Sequence, residues 1–248
     1  MDGCVQTVRT SVQPAAVTAT AVAPQPATPA TTAVAAATPP ESIHWFRNSA
    51  EMRGIYLETY HTAGDLLTKA SASVAPQTWA VILDADETTI DNSQYEKERF
   101  AAHAPYSDSI WKEWVLREAA PALPGAVEFM RLVHQLGGRV VIVTNRAPDL
   151  CDATRENIRR DSIPADLVLC RITSSDKNPR FLSVQNGTAS PNLPALKVLM
   201  WFGDNIQDFP GLTQSLRTGR DSGYDKFGAI YFLLPNPMYG SWERVDYR

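Results

Sequence analysis

Cysteine is scarce in this chain: 248 residues contain Cys4, Cys151 and Cys170, too few for a disulfide framework. Cys151 and Cys170 could pair in an oxidising compartment, but they read as two ordinary buried thiols. Histidine is scarce too, and His44, His61, His103 and His134 show no spacing suited to holding a metal. No apolar run nears the ~20 residues that cross a bilayer as a helix. Basic excess is missing: 23 Lys and Arg stand against 27 Asp and Glu, a net charge of −4. That balance gives no electrostatic footprint for a nucleic-acid polymer or an anionic membrane surface. Charge itself is missing from the stretch 5–40, which is almost entirely Ala, Thr, Pro, Val and Gln with Arg9 as its single charge. No core can be built from it, so residues 1–41 read as a disordered tether.

What remains, 42–248, can hold one sizeable core with a small accessory part. Asn48 and Glu51 fit a capping box, and Met52, Ile55, Tyr56, Tyr60, Ala63 and Leu67 mark one helical face. This helix, within 42–75, is expected outside the sheet as an accessory layer. A core begins near 78. Residues 93–121 form a polar insertion, with Trp111 and Trp114 three apart on a helix expected from about Ser109. Regular α/β alternation follows. A helix opens near Pro124 and stops at Gly137-Gly138, and strands are expected over 139–144, 167–170, 196–202 and 229–234, with a looser region between Ser174 and Pro194. Strands separated by helices argue a parallel sheet with helices on both faces.

Residues 80–92 read AVILDADETTIDN. An apolar run suited to a strand buried on both faces ends in Asp84, Asp86, Glu87 and Asp91. Crowded carboxylates repel one another and lose solvation, which a bound cation and a chemical role would offset. Other chemically loaded residues fall at or soon after later strand ends: Thr144-Asn145-Arg146, Lys177, and Asp204 with Asp208. In an open parallel sheet those ends border one ligand crevice.

In order and type, these four groups resemble the four motifs of the haloacid dehalogenase superfamily. Residues 83–93 (LDADETTIDNS), 143–146 (VTNR), 203–209 (GDNIQDF) and 234–243 (LPNPMYGSWE) narrow the resemblance to the class C nonspecific acid phosphatases. The resemblance implies an α/β, Rossmannoid fold with a small helical cap. It also implies a phosphoryl-transfer site, and the second acid, Asp86, favours phosphatase over other superfamily reactions. By that likeness Asp84 is the nucleophile and Asp86 the general acid and base. Thr144 would bond a phosphoryl oxygen and Lys177 offset its charge. Asp204, Asp84 and the main-chain carbonyl of Asp86 would hold Mg²⁺, a hard cation suited to oxygen donors, and Asp208 would ligate it through water or hold Lys177. Asn145 is placed at the substrate, and Trp111 and Tyr239 are expected to sandwich a nucleobase. An acidic optimum is expected, because Asp86 must carry a proton amid other negative charge. Family members are bacterial outer-membrane lipoproteins, commonly dimeric, and some are 5′-nucleotidases. Gly3-Cys4 ahead of the tether resembles the end of a lipobox, so a lipid on Cys4 and a place in the cell envelope are expected. A phosphotransferase using the same aspartyl phosphate and a non-catalytic binding or storage protein are the alternatives.

Overall fold

A computed structural model of the chain describes residues 38–246 together with Met1 and Gly3. Cys4 and nearly all of the expected tether lie outside the described residues. Five strands are present: β1 (Trp79–Leu83), β2 (Arg139–Val143), β3 (Leu167–Leu169), β4 (Lys197–Gly203) and β5 (Tyr231–Leu233). They form one parallel sheet in the order β3-β2-β1-β4-β5. β1 is buried along its whole length, as its unbroken apolar run requires of a central parallel strand. Its side chains alternate between two cores: Trp79, Val81 and Leu83 on one face, Ala80 and Ile82 on the other. Because every strand is parallel, all carboxyl ends share one edge. At that edge Leu83 stands opposite Ile142 and Phe202, and the Asp84 N–H donates to the Phe202 carbonyl at 3.0 Å.

The N-terminal helical region is two helices, α1 (Glu41–Asn48) and α2 (Ala50–Ser71). Asn48 therefore ends one helix, and Ser49 caps the next through its Oγ, which accepts the Met52 N–H. Of the expected apolar face, Ile55 is exposed and the other five residues are buried. Those five belong to the main core. Tyr60 stacks on Phe202 of β4, centroids 5.5 Å apart, so α2 is a layer of the sheet's own core and not an addition outside it. Two tyrosine hydroxyls from α2 reach the turn after β1: Tyr56 donates to the Glu87 carbonyl and Tyr60 to the Thr88 carbonyl. The Glu87 backbone is left-handed, φ 51°, a conformation disfavoured for a residue with a side chain, and these bonds hold it.

The insertion carries α3 (Ser93–Ala101) and α4 (Asp108–Val115); α4 starts just before Ser109, with Ser107 as its cap. Next, α5 (Ala126–Gln135) begins two residues after Pro124, behind a left-handed Gly125. α6 (Cys151–Arg160) leads to β3, and the region expected to be loose holds α7 (Asn178–Asn186). The reading of Cys151 and Cys170 as thiols is corrected: they form a disulfide. They meet because β2 and β3 are sheet neighbours. The loop after β2 delivers Cys151 to the edge where β3 ends. A sequence separation of 19 carries no sign of that.

Candidate active site

β1 and β4 end side by side, which brings Asp84 and Asp204 to one point. Asp208 arrives on the turn after β4. A Cβ added to Gly203 would lie 2.2 Å from the Asp208 Cβ, so only glycine lets that turn fold back. Oxygens of Asp84, Asp204 and Asp208 fall within 4.8 Å of one another. Lys177, the residue before α7, is buried among them, with Nζ 2.5 Å from Asp84 Oδ1 and 2.6 Å from Asp208 Oδ1. The Lys177 ammonium is pushed up to about 12: burial opposes its charge, but Asp208 and Asp84 outweigh it. Burial, with Asp208 and Asp86, pushes the Asp84 carboxyl up to about 7 against the pull of Lys177. Burial, Asp208 and Asp84 likewise raise Asp204 well above the usual carboxylate range. Three crowded carboxylates, with Asp84 and Asp204 held above the ordinary range, offer oxygen donors that fit a divalent cation.

Asp86 lies two residues from Asp84 in a different charge environment. Arg146 Nε reaches its Oδ1 and Oδ2 at 3.0 and 3.2 Å, Arg146 Nη2 reaches Oδ1 at 2.8 Å, and Asn92 Nδ2 donates to Oδ1 at 2.8 Å. Asp86, expected amid other negative charge, therefore also faces a guanidinium that the sequence reading did not foresee. Arg146 is itself buried, lies 5.3 Å from the centroid of the Trp111 ring and donates to Asn92 Oδ1. The same Asn92 oxygen accepts the Trp114 indole N–H at 2.8 Å. The cap helix α4 is thus tied to Asp86 through Asn92.

Thr144 is fully buried. Its Oγ1 accepts the Arg146 N–H, and its own O–H remains to donate. Asn145 is occupied at both ends of its amide: Nδ2 donates to the Ser175 carbonyl and Oδ1 accepts from Arg180 at 2.6 Å. Arg180, from α7, also bonds the Thr144 and Asp176 carbonyls, so one buried cation holds the loops carrying Thr144 and Lys177 together. Thr88 Oγ1 and Asn236 Nδ2 donate to the two oxygens of Asp204. The sequence reading assigned no role to Asn92, Arg146, Arg180 or Asn236. Arg146 stood inside a motif already singled out, and Asn236 inside the C-terminal one.

A cavity of about 530 Å³ opens over these groups, its wall including Asp84, Asp86, Asp204, Trp111 and Tyr239. The expected aromatics are brought together with the acids, although Trp111 also packs edge-on against Tyr95, centroids 5.0 Å apart.

Paired acids, a buried lysine and a metal-fitting cluster at the carboxyl edge of a parallel sheet place the chain in the haloacid dehalogenase superfamily. Within it, the chain belongs to subfamily IIIB, the acid phosphatases, whose family model matches residues 3–242. It is accordingly a phosphomonoesterase. The class C acid phosphatase of Bacillus anthracis, in two structures of which one has tungstate bound, superposes with a TM-score of 0.73 at 27% identity, covering 82% of this chain and 85% of that one. The stem 28 kDa glycoprotein of Glycine max is 25% identical over 201 residues, 80% of this chain and 72% of its own. Acid phosphatase 1 of Solanum lycopersicum is 24% identical over 159 residues, 64% of this chain and 57% of its own.

Proposed function

We propose that the chain is a Mg²⁺-dependent acid phosphatase that hydrolyses small phosphomonoesters, nucleoside 5′-monophosphates among them, through a phosphoaspartyl intermediate. The observation that carries this reading is the split between the acids. Asp84 sits with Lys177 at the cation-fitting cluster, while Asp86 sits apart with Arg146. One carboxylate is thus placed to attack and the other to move protons. Asp84 attacks phosphorus as the ester P–O bond breaks, and Asp86 gives its proton to the departing alkoxide. Asp86 then takes a proton from water, which attacks the aspartyl phosphate, releases inorganic phosphate and restores Asp84. Lys177 offsets phosphoryl charge, and the Thr144 O–H donates to a phosphoryl oxygen. A cation held by Asp84, Asp204 and Asp208, with the Asp86 carbonyl, would supply the remaining positive charge for a dianionic substrate. Tungstate in the Bacillus anthracis structure, a tetrahedral oxyanion, supports a phosphate-shaped site.

Trp111 and Tyr239 on the same cavity wall support stacking of a nucleobase, which suits broad specificity because every base has a π-face. Asn145 acts on the substrate chiefly by bracing the loop at its edge. The disulfide supports an oxidising compartment, in keeping with a cell-envelope protein anchored through Cys4. The test is phosphate release from mononucleotides, sugar phosphates and phosphotyrosine, with and without EDTA. Release that EDTA abolishes and Mg²⁺ restores is expected. Full activity in excess chelator would refute the metal assignment.

A further inference from the structure

The active-site cavity has a second group of donors away from the acids. Tyr95 is 3% exposed and lines the cavity, yet its hydroxyl has no hydrogen-bond partner. Arg99 lines it too. Its Nη2 is bound to Glu96 at 2.6 Å, while its Nε is buried and unpartnered. A buried polar atom without a partner is unfavourable, so two on side chains of one cavity wall point to a ligand that satisfies them.

Arg171 stands on the same wall. Among the described residues its guanidinium makes no hydrogen bond or ion pair, whereas Arg146 is paired with Asp86 and Arg99 with Glu96. Arg171 is nonetheless held in place. Its N–H donates to the Arg146 carbonyl at 3.0 Å, and the residue before it is the disulfide-bonded Cys170. It acts electrostatically on Tyr106, which in turn acts on Tyr95, so the donors form one neighbourhood. It also adds to the positive field around Arg180, whose hydrogen-bond partners are neutral oxygens. The nearby acids are answered: Glu96 by Arg99, and Asp108 by the Tyr106 hydroxyl. Glu243 is within electrostatic reach of Glu96 and accepts the Gly240 N–H.

We infer that Tyr95, Arg99 and Arg171 form a subsite for a second anionic group, phosphate or carboxylate, on the phosphomonoester being hydrolysed. The inference rests on the phosphatase reading above and names a substrate class within it: doubly anionic phosphomonoesters. Each side chain of the subsite has a free group that can donate, and two of the three are cations, which favours an anion over a neutral hydroxyl. Burial pushes the Tyr95 phenol up to about 12, so it remains a donor throughout the working range.

The test compares kcat/KM within matched pairs: adenosine 3′,5′-bisphosphate against adenosine 5′-monophosphate, and phosphoglycolate against ethyl phosphate. The two pairs put the second anion at different distances from the scissile phosphate. For at least one pair the doubly anionic substrate should be preferred about 10-fold or more, as charge-assisted hydrogen bonds allow. Arg171→Ala should cut that preference roughly 5- to 50-fold, and added salt should shrink it. Tyr95→Phe, which keeps the ring that packs on Trp111 and Trp114, should cut it roughly 3- to 10-fold. Damage common to both members of a pair cancels in the ratio. Phosphate release from all four substrates, with ratios unchanged in both variants, overturns the subsite and leaves the phosphatase standing. Release from none overturns both.

Discussion

Asp84 and Asp86 are two residues apart and of the same chemical type, yet their neighbours give them different charge environments. Lys177 and two further acids surround the first, while a guanidinium fork and an amide fix the second. On the proposed mechanism Arg146 would be a positioning residue for proton transfer. Asp86→Asn should lose about 10²–10⁴-fold on alkyl phosphates and far less on nitrophenyl phosphate, whose leaving group needs no proton. Arg146→Lys keeps the charge and loses the two-pronged geometry, so it should show the same leaving-group pattern with a smaller loss, roughly 10- to 100-fold. An equal fall on both esters would make Arg146 merely structural. The acids and Lys177 were legible in the sequence because each sits at or soon after a strand end, where local pattern gives the position. The partnership of Arg146 with Asp86 was not, because it spans 60 residues and exists only where β1 and β2 lie together.

The same limit operates on elements. The strands stood out as apolar runs, and all five lie within or beside the expected segments. α7 was missed because its first turn holds a proline (Pro179) and its sequence, NPRFLSVQN, lacks a clear apolar period. Proline is tolerated there, since the first-turn N–H groups have no partner inside the helix. The cap of α2 was misplaced by one residue because Asn48 and Ser49 are both capping types, and α1 takes up the first. The disulfide joins the two loops that carry Arg146 and Lys177, so it braces the site as well as the fold. A loop of this length is worth about 3 kcal/mol in the chain-entropy account. Replacing both Cys151 and Cys170 by Ser should lower Tm by roughly 6–12 °C for a unit of this size, read by calorimetry. Incubating the wild type with reductant should move it towards the variant. A Tm insensitive to both would show that packing alone holds these loops.

For the whole molecule, no described helix is long and apolar enough to cross a membrane, and residues 38–246 belong to one compact unit whose stability can be followed as a single transition. Its largest electrostatic cost lies at the site. Burial raises Asp84 from its ordinary 3.8 to about 7 and also raises Asp204 and Glu87. The folded, metal-free chain therefore holds protons that the unfolded chain has released between about pH 4 and pH 7. The state that binds more protons is favoured at low pH, so these groups make the metal-free fold less stable as pH rises through that window. A divalent cation at Asp84 and Asp204 would stabilise those two carboxylates in their ionised form and would have to compete with their protons. Below pH 7, each displaced proton should weaken apparent cation affinity by about tenfold per pH unit. The rise in Tm produced by Mg²⁺ should accordingly be small at pH 5 and grow towards pH 7.5. Exposed ion pairs elsewhere contribute equally with and without the metal, so the difference isolates the site. Asp204→Asn, which removes one of the competing carboxylates, should reduce both the Mg²⁺ shift and its dependence on pH. A shift of the same size at pH 5 and pH 7.5 would mean that the cation does not bind at these three acids.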